Sequence, residues 1–402
     1  MTESKVRRER NRSRTLRLFL IAVFALSAAF AMMDATFNNF VNERFTLSGG
    51  ERSFLELPRE LPGVLAIFVA ALLGFLCSRR LAAAAMVFAG AGALLIGLAA
   101  PTYGVTVCWL FVYSIGFHLF APLLSTIGMG LAVEGKDGQR LGQLNSVRNA
   151  AAIAGSFLIW LGFSHLGFSF PLSFLLIAGC FILAAWLLRQ LPPDPAPAPD
   201  NYFRPRREYA VFYLLAILFG ARKQIFITFA PWVLVTVFSQ PTQMMGTLLT
   251  IGGIIGIVFQ PVLGRAVDRF GERVVLAGEA LLLIGVCTGY GFARFALTEQ
   301  AALYLTCAMF LADQMLMSVG MARSTYIKKI AVTPGDIQSA QTLSTSIDHV
   351  FSIAVALLGG LIWNRYGYQY VFLLGALIAA VNFLVALQVR VPVRVSTAGA
   401  RP

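Results

Sequence analysis

Runs of about twenty residues with almost no charge recur from one end of this chain to the other, and that recurrence limits what it can fold into. A run of roughly 20 apolar residues matches a helix crossing the hydrocarbon core of a bilayer. In that core every backbone amide must find its partner inside the segment or in a closed barrel, so long continuous apolar runs imply helices. The runs predict spans near 16–41, 57–78, 81–100, 104–132, 141–164, 170–189, 209–237, 244–266, 274–294, 300–323, 338–363 and 368–389. No stretch is left over for a separate soluble domain. Composition agrees: 58% of the 402 residues are hydrophobic and 13% are charged, whereas a soluble domain carries about a quarter charged residues.

The net charge of +13 is informative through its distribution. With the basic N-terminal tail in the cytoplasm, the loops on that side carry Arg79, Arg80, Lys136, Arg140, Arg189, Arg204, Arg206, Arg207, Arg265, Arg269, Arg273, Arg323, Lys328 and Lys329. The opposite loops carry Arg44, Arg52, Arg59, Arg294 and Arg365, while Arg148, Arg222 and Lys223 fall inside spans. Such a bias sets orientation. Both termini are expected in the cytoplasm, with the basic charge facing lipid headgroups and no nucleic-acid partner. The expected location is the cell membrane, the inner one in a Gram-negative source.

Five cysteines (Cys77, Cys108, Cys180, Cys287, Cys307) are scattered through apolar runs. Their odd number and lack of ligand spacing argue against a disulfide framework or a zinc site. No metal and no cofactor are expected.

The basic N-terminus followed by an apolar run has the layout of a secretory signal, with Ala29-Phe30-Ala31 at the place of a cleavage site. An internal repeat argues that the run is instead a retained span. Phe30, Asp34, Phe37 and Phe40 align with Phe219, Lys223, Phe226 and Phe229. Ala89–Gly97 aligns with Ala277–Gly285, and Ser146-Val-Arg148-Asn149 with Ser346-Ile-Asp348-His349. Between the copies lies 191–208, with Pro-Pro-Asp-Pro-Ala-Pro-Ala-Pro-Asp, read as a semi-rigid cytoplasmic linker. The chain therefore divides into an N-terminal six-helix bundle (1–190), the linker (191–208) and a C-terminal six-helix bundle (209–402). Repeats of equal, even span number form parallel halves related by an axis along the membrane normal. The expected fold is an all-α membrane protein of twelve transmembrane helices in two pseudo-symmetric bundles.

After the eighth span the chain reads Gly264-Arg-Ala-Val-Asp268-Arg269-Phe-Gly271-Glu-Arg273. With the span count, linker and repeat, this resembles the major facilitator superfamily, whose halves carry a Gly-x-x-x-Asp-Arg-x-Gly-x-Arg loop between their second and third helices. The first-half counterpart, Gly74-Phe-Leu-Cys-Ser78-Arg79-Arg80, is eroded: Ser replaces the Asp and no Gly follows. The resemblance implies secondary active transport by alternating access. It also implies a gating role for Gly264, Asp268, Arg269, Gly271 and Arg273, whose charges pair with the other half in one conformation and separate in the other.

Ionisable groups at bilayer depth cost at least roughly 2.5–3.5 kcal/mol each and are functional candidates by default. Asp34, Asp313 and Asp348 stand against Arg148, Arg222 and Lys223, a balance that suggests internal pairing. The resemblance places the first and seventh helices at a central cavity. Arg222, Lys223, Asp34, Asn38, Gln314 and Arg148 are therefore candidate substrate-binding residues. Arg offers a planar fork suited to carboxylate or phosphate, so a cationic cavity centre would favour an anionic solute. The equal alternative is that Arg222 and Lys223 simply pair with Asp313 and Asp348. Asp313, Asp348 and His349 are candidates for proton coupling, since imidazole titrates near neutrality; sodium is the other candidate ion.

There is no phosphate-binding loop for an ATP-driven pump, and no His-Glu-x-x-His or Gly-x-Ser-x-Gly for an intramembrane hydrolase, so no enzymatic activity is expected. The expectation is a monomeric carrier, bathed in lipid, of a small anionic organic solute coupled to protons. A broad exporter of apolar or cationic compounds is the alternative favoured by the Phe- and Met-rich spans. A receptor-like protein that has lost transport is a third.

Overall fold

The computed structural model describes residues 3–72, 77–132, 137–193 and 206–391. Helices account for nearly all of it: α1 (Glu3–Phe45), α2 (Gly49–Phe54), α3 (Glu56–Leu72), α4 (Ser78–Leu98), α5 (Tyr103–Gly130), α6 (Asp137–His165) and α7 (Phe170–Arg189) form the first half. The second half holds α8 (Ala210–Trp232), α9 (Thr242–Ala296), α10 (Glu299–Met317), α11 (Gly320–Ile330), α12 (Pro334–Tyr366) and α13 (Tyr368–Ala386).

Ten helical stretches are long and apolar enough to cross a membrane. One of these, α9, is two arms divided at Gly271, where φ is 78° and ψ is 164°. Only glycine adopts that backbone readily, so this residue lets the chain turn back between two spans. The short α3 supplies the remaining crossing; residues 73–76, which follow it, lie outside the described residues. The protein is thus a multi-pass membrane protein of twelve helical crossings in two six-helix bundles. Most of the linker and part of the eroded first-half motif, at 74–76, also lie outside the described residues, as do Lys136, Arg204 and the C-terminal tail with Arg394 and Arg401.

The repeat reappears as packing. In the first half α1 lies against α6, and α4 against α5 and α7; in the second, α8 lies against α12, and α9 against α10 and α13. Aromatic edges fill the equivalent seams: Phe40 meets Phe174 with centroids 4.9 Å apart, and Phe226 meets Phe372 at 5.5 Å. The halves touch mainly through α6 on α9 and α3 with α2 on α12.

Several expected boundaries shift for local reasons. The loop after the first span contains α2, started by a capping box in which the Ser48 hydroxyl accepts from the Glu51 amide and the Glu51 carboxylate accepts from the Ser48 amide. The tenth span breaks into α10 and α11. After Pro231, which has no N–H to donate, α8 widens into a π-helical turn over Val233–Val237. The start of α12 is pinned by Asp336, which accepts from the Thr333 amide at 3.0 Å and the Tyr209 hydroxyl at 2.9 Å.

Among the described residues, side-chain hydrogen bonds between the halves join Asn39 to Gln240, Asn364 to Gly50, Gln224 to Glu56 and His349 to Glu60. All lie between mid-bundle and the end where α1 stops. The structure is therefore a conformation closed at that end.

Candidate functional site

Successive residues on a helix point about 100° apart, and α8 uses this to send three polar side chains in three directions. Arg222, 1% exposed, is turned into its own half. Its two terminal nitrogens donate to Asp313 Oδ1 on α10 at 2.5 Å and to Glu279 Oε1 on the second arm of α9 at 3.0 Å. Lys223 Nζ donates to Asp348 Oδ2 on α12 at 2.5 Å, and both side chains are partly exposed. Gln224 Nε2 donates across the boundary between halves to Glu56 Oε2 at 2.9 Å.

The Arg222 cluster is sealed. Phe219, one turn earlier, carries the Arg323 guanidinium on its ring at 3.5 Å and lies 5.2 Å from that of Arg222. Two guanidiniums flank one ring, and with the two carboxylates held by Arg222 they make a set of balanced charge, as burial requires.

A second network occupies the first half. Arg52, fully buried, donates to Glu56 Oε1 and to Asn38 Oδ1, each at 2.7 Å. Arg59 lies 3.7 Å from Glu56 and 3.4 Å from Asp34. Of these two residues of the outer-loop charge count, the structure buries Arg52 and leaves Arg59 partly exposed, both beside carboxylates.

A cavity of about 220 Å³ opens between α1, α6, α9 and α10. Asp34, Asn149, Ser156, Gln260, Gln314 and Ser318 give it polar groups, and Leu249 and Met315 give it apolar ones. The Asp34 side chain is 54% exposed, the only ionisable group in the lining. Three glycines of α9 (Gly252, Gly253, Gly256) keep one wall bare. Arg148 lies on the same stripe of α6 as Ala152 and Ser156, at i, i+4 and i+8, towards the helix start. It is exposed. Unlike Arg222 and Lys223, it makes no ion pair or hydrogen bond with a described residue.

The sequence-derived candidates thus separate. Asp34 and Gln314 line the cavity and Arg148 stands on its α6 face. Asn38 and Arg222 are absorbed into buried networks, and Lys223 is held by Asp348. Asp313 belongs to Arg222, while His349 turns the other way, to Glu60 at 2.7 Å. In the loop motif Asp268, Arg269 and Arg273 are exposed without an ion pair to a described residue, and Arg269 lies only on its neighbour Phe270. The engaged member is Glu272, buried and 2.6 Å from Lys329 on α11.

Sequence reasoning missed Glu56, Glu60, Glu279, Arg52, Arg59 and Arg323. Signals for some were present. Glu56 and Glu60 are spaced i, i+4, which puts two carboxylates on one helix face. Glu279 falls within a predicted span, where it outweighs the apparent three-to-three balance. His118 on α5 lies beside His349 and Glu60, so one set of groups could hold a metal ion.

A family model described as Major Facilitator Superfamily matches residues 136–328 and 212–402. No curated protein sequence matches the chain. Among solved structures the fold is similar to the nucleoside transporter NupG, at 14% identity and TM-score 0.74, over 94% of this chain and 98% of that one. A D-xylose-proton symporter matches at 15% identity and TM-score 0.69, over 94% and 97%. A bacterial homologue of the iron transporter ferroportin in an inward-facing state matches at 13% identity and TM-score 0.73, over 93% and 98%.

Proposed function

The chain belongs to the major facilitator superfamily, and from that premise we propose that it carries a small anionic organic solute by alternating access, binding it between Arg148 and the polar wall formed by Asp34 and Gln314. One observation carries this reading. Of the three cations the sequence places inside spans, Arg148 alone has no partner among the described residues. Arg222 and Lys223 are already neutralised by Asp313, Glu279 and Asp348. A guanidinium without a partner among the described residues, on the α6 stripe that continues from the cavity lining, is the group available to take a carboxylate or phosphate. The amides of Asn149, Gln260 and Gln314 supply donors and acceptors for the remainder of the solute.

Coupling to protons follows from Lys223 and Asp348. Both are partly exposed, so protonating Asp348 would release Lys223 and change the charge seen by an incoming anion. The charge bias puts both termini in the cytoplasm of a cell-membrane protein, with halves 1–190 and 209–402 joined by 191–208. The conformation described here then faces inward, and the loop motif from Gly264 to Arg273 acts as the latch that closes the inner side.

The exposed Asp34 carboxylate favours a second reading, export of apolar or cationic compounds. Proteoliposome uptake with a panel of labelled anions, cations and neutral solutes separates the two. Loss of a charge-assisted hydrogen bond costs about 1.5–3 kcal/mol, so Arg148→Gln should weaken an anionic substrate by roughly 10- to 150-fold. A lipophilic cation whose binding depends on Asp34 and ignores Arg148 would establish the exporter instead.

A further inference from the structure

Glu60 on α3, His118 on α5 and His349 on α12 meet at the boundary between the halves. One ligand-capable atom from each lies within 4.8 Å of the others. His349 Nδ1 is 2.7 Å from Glu60 Oε2, and the two imidazole rings meet edge to face with centroids 4.8 Å apart. His118 Nδ1 is occupied by the Ser114 hydroxyl at 3.0 Å and the Ser114 carbonyl at 3.1 Å. Its other nitrogen, Nε2, is buried in a residue only 6% exposed and has no hydrogen-bond partner among the described residues. Gly63, nearly one turn beyond Glu60, makes the meeting possible. A Cβ there would lie 2.6 Å from His118 Cδ2 and 2.8 Å from His349 Cδ2.

We propose that Glu60, His118 and His349 form a binding site for a divalent transition-metal ion of the Zn²⁺, Co²⁺ or Ni²⁺ class, bridging the two halves. The donor set selects the class: imidazole suits these metals, whereas Mg²⁺ and Ca²⁺ take oxygen ligands. A buried imidazole whose Nδ1 is fixed by a backbone carbonyl, leaving Nε2 free, has the outer support found at metal-ligating histidines. The ion takes the place of the proton shared by Glu60 and His349 and gives Nε2 of His118 the partner it lacks. Ligation at about 2.0–2.2 Å requires the three side chains to draw together, with water completing the shell.

Glu60 and His118 come from one half and His349 from the other, so the complete site exists only while the halves meet here. A ligand that binds one conformation better shifts the population towards it. Bound metal therefore holds the protein closed at this end and inhibits transport. The site shares no residue with the Arg148 cavity, and it is read by direct binding without knowing the transported solute.

The test titrates the purified full-length protein with Co²⁺, followed by visible absorption, and then displaces it with Zn²⁺. The expected result is one equivalent with nitrogen and oxygen ligation, and a Zn²⁺-dependent rise in the thermal unfolding midpoint. Outer-shell changes alone cost about 10–100-fold in affinity, so His118→Ala should cost about 100-fold or more. Gly63→Ala, which keeps all three ligands but crowds the rings, should also weaken binding, and Glu60→Gln provides a second ligand variant should His118→Ala fail to fold. His165→Ala, at the end of α6, should bind as the parent does. Absence of stoichiometric binding, undiminished affinity in His118→Ala and Glu60→Gln, or a thiolate charge-transfer band from one of the five cysteines would overturn the proposal.

Discussion

Lys223 Nζ and Asp348 Oδ2 lie 2.5 Å apart between α8 and α12, and the room for the pair is made by a missing side chain. A Cβ at Gly220, one turn before Lys223, would collide with the Asp348 carboxylate. Both partners are partly exposed, so the pair is neither locked in the core nor free at the surface. This makes it the ion pair at mid-bundle best suited to open and close during a transport cycle.

The first prediction follows from that coupling. Lys223→Gln leaves Asp348 unpaired, and Asp348→Asn leaves Lys223 unpaired, so each single variant should lose transport. The double variant removes both charges and should recover part of the loss. Groups in contact couple by about 0.5–3 kcal/mol, which sets the size of the departure from additivity in initial uptake rates. Additive losses would mean that the two side chains act separately.

Arg222 should behave differently, as a pin of the second half. Breaking a buried ion pair from one side costs about 3–5 kcal/mol. Arg222→Met should therefore lower the thermal unfolding midpoint in detergent markedly. Combining it with Asp313→Leu, which removes one stranded carboxylate and leaves Glu279 to balance the buried Arg323, should restore much of the stability. A stable Arg222→Met protein with altered substrate affinity would return Arg222 to the binding site.

The contrast between these two neighbours shows what the sequence made legible. The apolar runs, the basic bias and the Phe30/Phe219 repeat are one-dimensional patterns, and they carry the helix count and the two-bundle architecture. Pairing depends on which way each side chain faces, and adjacent polar residues diverge by about 100°. Asp348 and His349 read as one polar spot in the sequence and belong to different clusters in the fold, as do the neighbours Arg222 and Lys223, and Asp313 and Gln314. The Glu60–His118–His349 meeting was hidden for the same reason: its members are far apart in the chain and lack ligand spacing.

Gly271 separates the two arms of α9 with φ of 78° and ψ of 164°. A side chain in such a backbone conformation costs about 1–3 kcal/mol. Open space surrounds the Cβ position, so the penalty in Gly271→Ala is conformational and not steric. The expected result is a lower unfolding midpoint with substrate affinity unchanged. An unaffected midpoint would show that the turn tolerates other backbone angles.

Asp268 is exposed in this conformation, three residues before that turn. If it pairs with the first half when this end closes, Asp268→Asn removes a contact from the other conformation only. Substrate binding to the conformation seen here should persist while the cycle slows. Equilibrium binding and uptake rate, measured on the same preparation, should therefore part company. Weakened binding with a normal exchange rate would place Asp268 outside the gate.

The last prediction concerns the closed end itself. The Gly50 amide donates to Asn364 Oδ1 at 3.0 Å, joining α2 of one half to the end of α12 in the other. A Cβ at position 50 would lie 3.3 Å from Asn364 Cγ, the place a cysteine sulfur takes on residue 364, so sulfurs at the two positions come within reach of each other. Gly50→Cys with Asn364→Cys, in a background whose five native cysteines are replaced by Ser or Ala, should cross-link under mild oxidation. Alternating access requires these surfaces to part, so the oxidised protein should stop transporting. Its Co²⁺ site should survive, because Glu60, His118 and His349 stay together in the locked state, and reductant should restore uptake. Full uptake by a completely cross-linked protein would mean that this end does not open during transport, and would remove the rocking mechanism.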